Sequence, residues 1–106
     1  MTDLAGILAI WNSCAPGREA EYEAWYQTEH LHERLSIVGF RRGRRYEAIA
    51  LGDGCFTYYE SAVPDVLTSE AYLQRINNPT PMTARIMRDA FTDMSRTVCR
   101  RAFALG

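Results

Sequence analysis

The chain has 106 residues, of which 47% are hydrophobic and 24% charged, and its formal net charge is -1. That length fits a single domain spanning residues 1–106, and the balance is that of a globular rather than a disordered chain. A near-neutral charge excludes binding of nucleic acid or of anionic membranes by bulk electrostatics.

Met1-Thr2-Asp3 lacks the basic start of a signal peptide, and the apolar stretch Leu4 to Trp11 is too short to span a bilayer, so a cytoplasmic location is expected. The cysteines, Cys14, Cys55 and Cys99, are odd in number and widely spaced. They read as reduced, partly buried thiols rather than as a zinc site.

Taken in chain order, Leu4 to Trp11 is a short continuous apolar run before the turn signal Pro16-Gly17, which predicts a strand covered on both faces. Arg18 to Leu35 predicts one long helix, with Glu19 and Glu21 suiting the dipole of its first turn. Ala24, Thr28, Leu31 and Leu35 form one packing stripe, flanked by Trp25 and His32. Tyr22, Tyr26, Glu29 and Glu33 form a second stripe, with His30 at its margin. Gly39 ends the helical region. Phe40–Ala50 and Cys55–Ala62 predict a hairpin around Gly52-Asp53-Gly54. A helix from Thr68 to Asn77, capped by Thr68 or Ser69, is broken by Asn78-Pro79-Thr80-Pro81. A shorter helix, Met82 to Ala90, and a last strand from Met94 or Ser95 to Ala102 complete the order β-α-β-β-α-β.

That order predicts an α+β, ferredoxin-like fold with a four-stranded antiparallel sheet and helices on one face. The other face stays bare, carrying Phe56, Tyr58 and Val98 or their alternating neighbours. A chain this short cannot cover both faces, so a homodimer is expected.

The stretch Trp25-Tyr26-Gln27-Thr28-Glu29-His30-Leu31-His32-Glu33-Arg34, followed by Gly39-Phe40, resembles the dimeric α+β-barrel superfamily. It is most similar to the EthD-like branch, where a W-Y-x-x-x-H-x-x-x-R helix segment leads through a Gly-Phe turn into a basic strand. Val38 and His32 stand where many relatives carry proline. The resemblance implies a face-to-face sheet dimer with a pocket in each subunit. It is compatible with isomerases, polyketide cyclases and cofactor-free monooxygenases, so fold alone does not choose the chemistry.

His30 is the leading catalytic candidate, because an imidazole moves protons near neutral pH. Tyr26 and Arg34 lie one helical turn to either side of it, and Arg34 suits a substrate carboxylate or enolate. Tyr58 is a candidate donor to an oxyanion; Tyr58 and Tyr59 must face opposite sides of the sheet. Trp25, Phe40, Tyr46 and Phe56 are candidate apolar or aromatic contacts. Within the basic run, Arg42 and Arg44 share one face and Arg41 and Arg45 the other, with Arg44 a candidate for an anionic ligand. His32 reads as a structural, semi-buried residue. His30 and His32 diverge by about 200° on a regular helix, so no metal site is expected, and no cofactor motif is present. The reading is a small cofactor-independent enzyme of isomerase, cyclase or lyase type. It would move a proton next to a carbonyl on an aromatic, lactone or polyketide-like compound, with a small apolar or aromatic acid or carbonyl as ligand. The alternatives are a non-catalytic or stress-related binding protein and a cofactor-free monooxygenase.

Overall fold

A computed structural model describes residues 5–52 and 54–105. The expected strand start at Leu4 and the turn residue Asp53 lie outside them. Four strands, β1 (Gly6–Cys14), β2 (Phe40–Glu47), β3 (Cys55–Ser61) and β4 (Phe91–Arg100), form an antiparallel sheet in the order β2-β3-β1-β4. Between β1 and β2 run α1 (Glu19–Trp25), a π-helical turn (Tyr26–His30) and α2 (Leu31–Leu35). Between β3 and β4 come a 3-10 turn (Pro64–Thr68), α3 (Glu70–Asn77) and α4 (Pro81–Asp89). This is the ferredoxin-like α+β fold.

Local chemistry sets the boundaries. Ser69 caps α3 by accepting from the Tyr72 N–H at 3.3 Å, and Thr80 caps α4 by accepting from the Thr83 N–H at 3.1 Å. Pro81 opens α4, where its missing N–H costs nothing. The strands differ from expectation at their ends. β1 runs on to Cys14, β2 stops at Glu47, and β4 begins at Phe91. A register shift opposite Trp11 and Ser13, with Asp93 at φ 50°, absorbs the irregular start of β4.

β1 is not covered on both faces. Leu8, Ile10 and Asn12 are buried under the helices, while Trp11 on the other face is 58% exposed. Strand pairing places Trp11 beside Phe56, and Phe56 beside Tyr46. With Tyr58 these make an aromatic row along the uncovered face, starting from a Trp11–Phe56 ring separation of 4.4 Å. Val98 is not part of it: it pairs with Leu8 and so points to the helix side.

The long helix also buries a different face from the expected one. Ala24, Thr28 and Leu35 are exposed, whereas Tyr22, Trp25, Tyr26, His30 and Arg34 are buried. Beneath the helices lie two clusters. One joins Leu8, Ile10, Ile37, Tyr59, Leu67 and Tyr72; the other joins Tyr22, Trp25, Tyr26, Ile86 and Ala90.

Gly39 carries the chain from α2 into β2 at φ +97°, and a Cβ there would lie 2.5 Å from Val66 Cγ2. Gly17 has a similar φ of +84° with open space around it. Gly17→Ala is therefore expected to lose about 1 kcal/mol from backbone strain alone. Gly39→Ala should lose about 1–3 kcal/mol more from the clash with Val66, as read by urea unfolding of the two variants side by side.

Candidate functional site

A cavity of about 290 Å³ lies between the helical layer and the β1–β4 half of the sheet. The long helix contributes Trp25, Tyr26, His30 and Arg34, and α3 contributes Tyr72, Arg75 and Ile76. Thr83, Ala84 and Met87 of α4 and Leu8, Ile10, Phe91, Met94 and Arg96 of the strands complete most of the wall. The volume sits at the lower edge of small-molecule pockets, which run from roughly 300 to 1,000 Å³.

His30 is 6% exposed and stacks on Trp25 with ring centroids 4.1 Å apart. The rings of Tyr26 and Tyr59 meet it edge-on. Its Nδ1 is buried without a hydrogen-bond partner, as is the Tyr59 hydroxyl. Burial, with a smaller contribution from the Arg34 charge, pushes the imidazole pKa down to about 3. The ring is therefore neutral at physiological pH and offers a lone pair rather than an acidic proton. Burial also raises the Tyr26 and Tyr59 phenols above their usual range, so both stay protonated.

Trp25 is fixed from behind. Its indole N–H donates to Thr83 Oγ1 at 2.9 Å, and the hydroxyls of Thr83 and Thr80 donate to Glu29 Oε2 at 3.1 and 2.8 Å. This chain of hydrogen bonds ties the π-helical turn to the start of α4 and holds the indole plane against His30.

The opposite end of the cavity is cationic. The guanidinium carbons of Arg34 and Arg96 lie 5.9 and 5.6 Å from the centre of the Tyr72 ring, and Arg96 donates to the Tyr72 hydroxyl. Arg75 donates to the Glu33 carbonyl at 3.3 Å. Burial lowers the pKa of both Arg34 and Arg96, and Arg34 lowers that of Arg96 further.

The sheet divides the residues singled out from sequence. His30, Tyr26, Arg34 and Trp25 come together at the cavity. Tyr58, Arg44, Tyr46 and Phe56 do not. They lie on the uncovered face, where the Arg44 guanidinium donates to the Tyr58 hydroxyl at 3.0 Å. Tyr59, not Tyr58, is the member of that pair beneath the helices. Phe40 is on the helix side but packs between Tyr59 and Tyr72 rather than lining the cavity. His32 is exposed, with its Nε2 3.0 Å from the Gln27 carbonyl. Arg45 sits under the helices, over the rings of Tyr22 and Tyr26, paired with Glu23 at 2.5 Å. Tyr72, Arg75 and Thr83 join the site without having stood out in the sequence. Their only signal there is placement on the inner faces of α3 and α4.

A second hollow, about 390 Å³, opens between α1 and the β2–β3 end, lined by Cys14, Cys55, Glu23 and Arg45 among others. Glu19 and Glu47 also line it, Arg45 is paired with Glu23, and all three cysteines are free thiols. Among the described residues no group of three or more histidine, cysteine, aspartate or glutamate side chains is placed to hold a metal, and no helix is long and apolar enough to cross a membrane.

No family model matches the chain, and no curated protein matches it. Solved structures do. One is a conserved protein of unknown function from Bacteroides thetaiotaomicron VPI-5482, described as "Possible Oxidoreductase". It has 14% identity and a TM-score of 0.61 over 94% of this chain and all of the other. Another is the "Putative Antibiotic Biosynthesis Monooxygenase" from Bacillus cereus, with 12% identity and a TM-score of 0.62 over 97% of this chain and 98% of the other. At such identities the likeness is one of fold.

Burial of neutral His30 makes the fold acid-sensitive in a defined window. Unfolding releases the imidazole to protonate near pH 6.5, whereas in the folded chain it does so only near pH 3. Between those values the unfolded chain binds the extra proton, so stability falls as pH falls. The expected slope is about 1.4 kcal/mol per pH unit. Urea unfolding of wild type and His30→Phe at pH 7, 6 and 5 checks this, since the variant should lack that part of the acid loss.

Proposed function

We propose that this chain is a small cytoplasmic enzyme that works without a bound cofactor and oxygenates an enolisable or phenolic aromatic compound held in the helix-side cavity. The observation that carries the reading is the buried His30, its Nδ1 without a hydrogen-bond partner, stacked on Trp25 in an apolar wall with Arg34 one turn away. Burial alone leaves this imidazole a weak base, and an anionic ligand beside it restores the basicity needed to take the proton of an acidic C–H or O–H. The cationic Arg34 stabilises the resulting enolate or phenolate in a site with little water to screen it. Such an anion is electron-rich enough to give an electron to molecular oxygen. A CH₂ between an arene and a carbonyl then becomes C=O, and the second oxygen atom leaves as water, so no external reductant is needed. The Tyr26 ring, its phenol held protonated, lines the same cavity.

The oxidative descriptions of both structural neighbours support oxygenation over isomerisation, cyclisation or elimination. All of these share the first proton transfer. Purified protein, with chelator present and no flavin added, should consume one O₂ per molecule of an aryl ketone or naphthol substrate. His30→Ala should lower kcat by roughly 10²–10⁴ while the fold is kept. His30-dependent deuterium exchange next to the carbonyl, without O₂ uptake, would instead assign the isomerase-type reaction.

The EthD-like resemblance and the aromatic row on the uncovered face support a homodimer. A second copy laid on Trp11, Tyr46, Phe56 and Tyr58 would remove those rings from water and close the sheet face. Arg44 and Tyr58 then serve the interface rather than the substrate. Sedimentation at micromolar concentration should show a dimer, and Phe56→Asp should shift it to monomer without changing its circular dichroism.

A further inference from the structure

Arg34, Arg75 and Arg96 come from three separate elements, α2, α3 and β4, and meet on one cavity wall. Among the described residues, no aspartate or glutamate lines that wall. Glu33 forms an ion pair with Arg34 from outside it, its Oε1 3.6 Å from Nη1, too long for a hydrogen bond. Arg34 Nη1 is buried with no hydrogen-bond partner, in a residue that is only 9% exposed. Arg34 and Arg96 flank the same Tyr72 ring, so each positive charge disfavours the other. Three like charges with one carboxylate at 3.6 Å among them are costly where Arg34 is buried, and an anion between them reverses the sign of the interaction. The Coulomb attraction is strongest where a planar oxyanion accepts two N–H bonds from one guanidinium.

The rest of the cavity fixes the other half of the ligand. Trp25 to Arg34 spans nine residues of helix, roughly 13 Å at 1.5 Å per residue. Trp25, Met87 and Phe91 line the cavity with apolar surface, the Trp25 and Phe91 rings 6.3 Å apart. A cavity of about 290 Å³ has room for one or two fused rings and not for an extended polycycle.

We propose that the cavity selects a small arene carrying a permanent carboxylate, bound by Arg75 and Arg96 at one end so that its ring system lies toward His30 and Trp25, with Arg34 between the carboxylate and the reacting carbon. This rests on the cavity being the substrate site, and it adds Arg75 and Arg96 as specificity-determining residues. The carboxylate is a handle that the reaction leaves unchanged. It orients the reacting carbon toward His30 and excludes neutral and cationic analogues of the same size.

The test is calorimetric binding of three probes to the full chain: 2-naphthoate, its methyl ester and 2-naphthylmethylammonium. Naphthoate should bind at least tenfold more tightly than the ester, and the ammonium should not bind. Arg75→Gln and Arg96→Gln should each weaken naphthoate about five- to tenfold and leave the ester within twofold, which also shows that the variants fold. The methyl resonances of Met87 and Ala84 should shift on binding, placing the probe in this cavity. Equal affinity for acid and ester, equal weakening of both by the arginine changes, or shifts confined to the uncovered sheet face would overturn the proposal. Binding needs no turnover, so the two readings fail separately. Carboxylate preference without O₂ uptake removes the oxygenase and keeps the anion site. O₂ uptake from neutral arenes without that preference does the reverse.

Discussion

In a regular helix each four-residue step rotates a side chain by about 40°, so Tyr22, Tyr26, His30 and Arg34 would spiral away from the sheet over three steps. The π-helical turn at Tyr26–His30 unwinds the helix where that drift would accumulate, and all four remain buried. Its wider i→i+5 bonds are poorer than those of an α-helix. Ring packing offsets that cost. Tyr22, Trp25, Tyr26 and His30 meet one another, Phe91 and Tyr59 at centroid distances of 4.1 to 6.3 Å, and aromatic pairs are worth roughly 0.5–1.5 kcal/mol each beyond their buried area. Restoring α-helical winding would break these contacts together, and with them the alignment of His30 and Arg34 on one wall.

The aromatic layer also sets the electrostatics. Rings exclude water without supplying counter-charge, so each ionisable group under the helices is held in the form that needs least solvation. The imidazole is neutral and the phenols are protonated. Arginine is the exception, because its guanidinium loses its proton only at very high pH. Arg45 is matched by Glu23 at 2.5 Å, whereas among Arg34, Arg75 and Arg96 the one carboxylate at hand is that of Glu33, 3.6 Å from Arg34. The site is thus a low-polarity space with a fixed positive end, which favours a bound anion there.

The order of elements was legible because its punctuation is local. Pro16-Gly17, Gly39, the Gly52/Gly54 pair and Pro79/Pro81 act within a few residues, and the helices and strands end near them. Facing was harder. Ala24, Thr28, Leu31 and Leu35 make as good a stripe on a regular helix as the buried aromatics do, and no periodicity count anticipates a π turn. In β3, alternation separates Tyr58 from Tyr59 but cannot say which one meets the helices. That depends on Tyr59 sharing its side of the sheet with Leu8 of β1, its cross-strand partner. Hence the half of the candidate site carried by a single helix, Trp25, Tyr26, His30 and Arg34, was found together. The half drawn from the strands does not gather there: Phe56 and Tyr58 lie on the bare face, as expected, together with Arg44 and Tyr46, while Phe40 packs on the helix side against Tyr59 and Tyr72. Tyr72, Arg75 and Thr83 were silent because each meets the long helix only across 38 or more residues of chain, as with the Trp25–Thr83 bond 58 positions apart.

The parity that puts Tyr58 and Tyr59 on opposite sides of the sheet also separates two tasks. Side chains of β1 alternate between the cavity, at Leu8 and Ile10, and the uncovered aromatic row, at Trp11. One strand therefore serves a candidate binding site and a candidate interface, with only the thickness of its backbone between them. A change of side chain on the aromatic row does not reach the cavity wall by contact; a change of strand register moves both at once. Assembly and chemistry in this fold can thus vary independently through substitution, but not through insertion or deletion in the sheet.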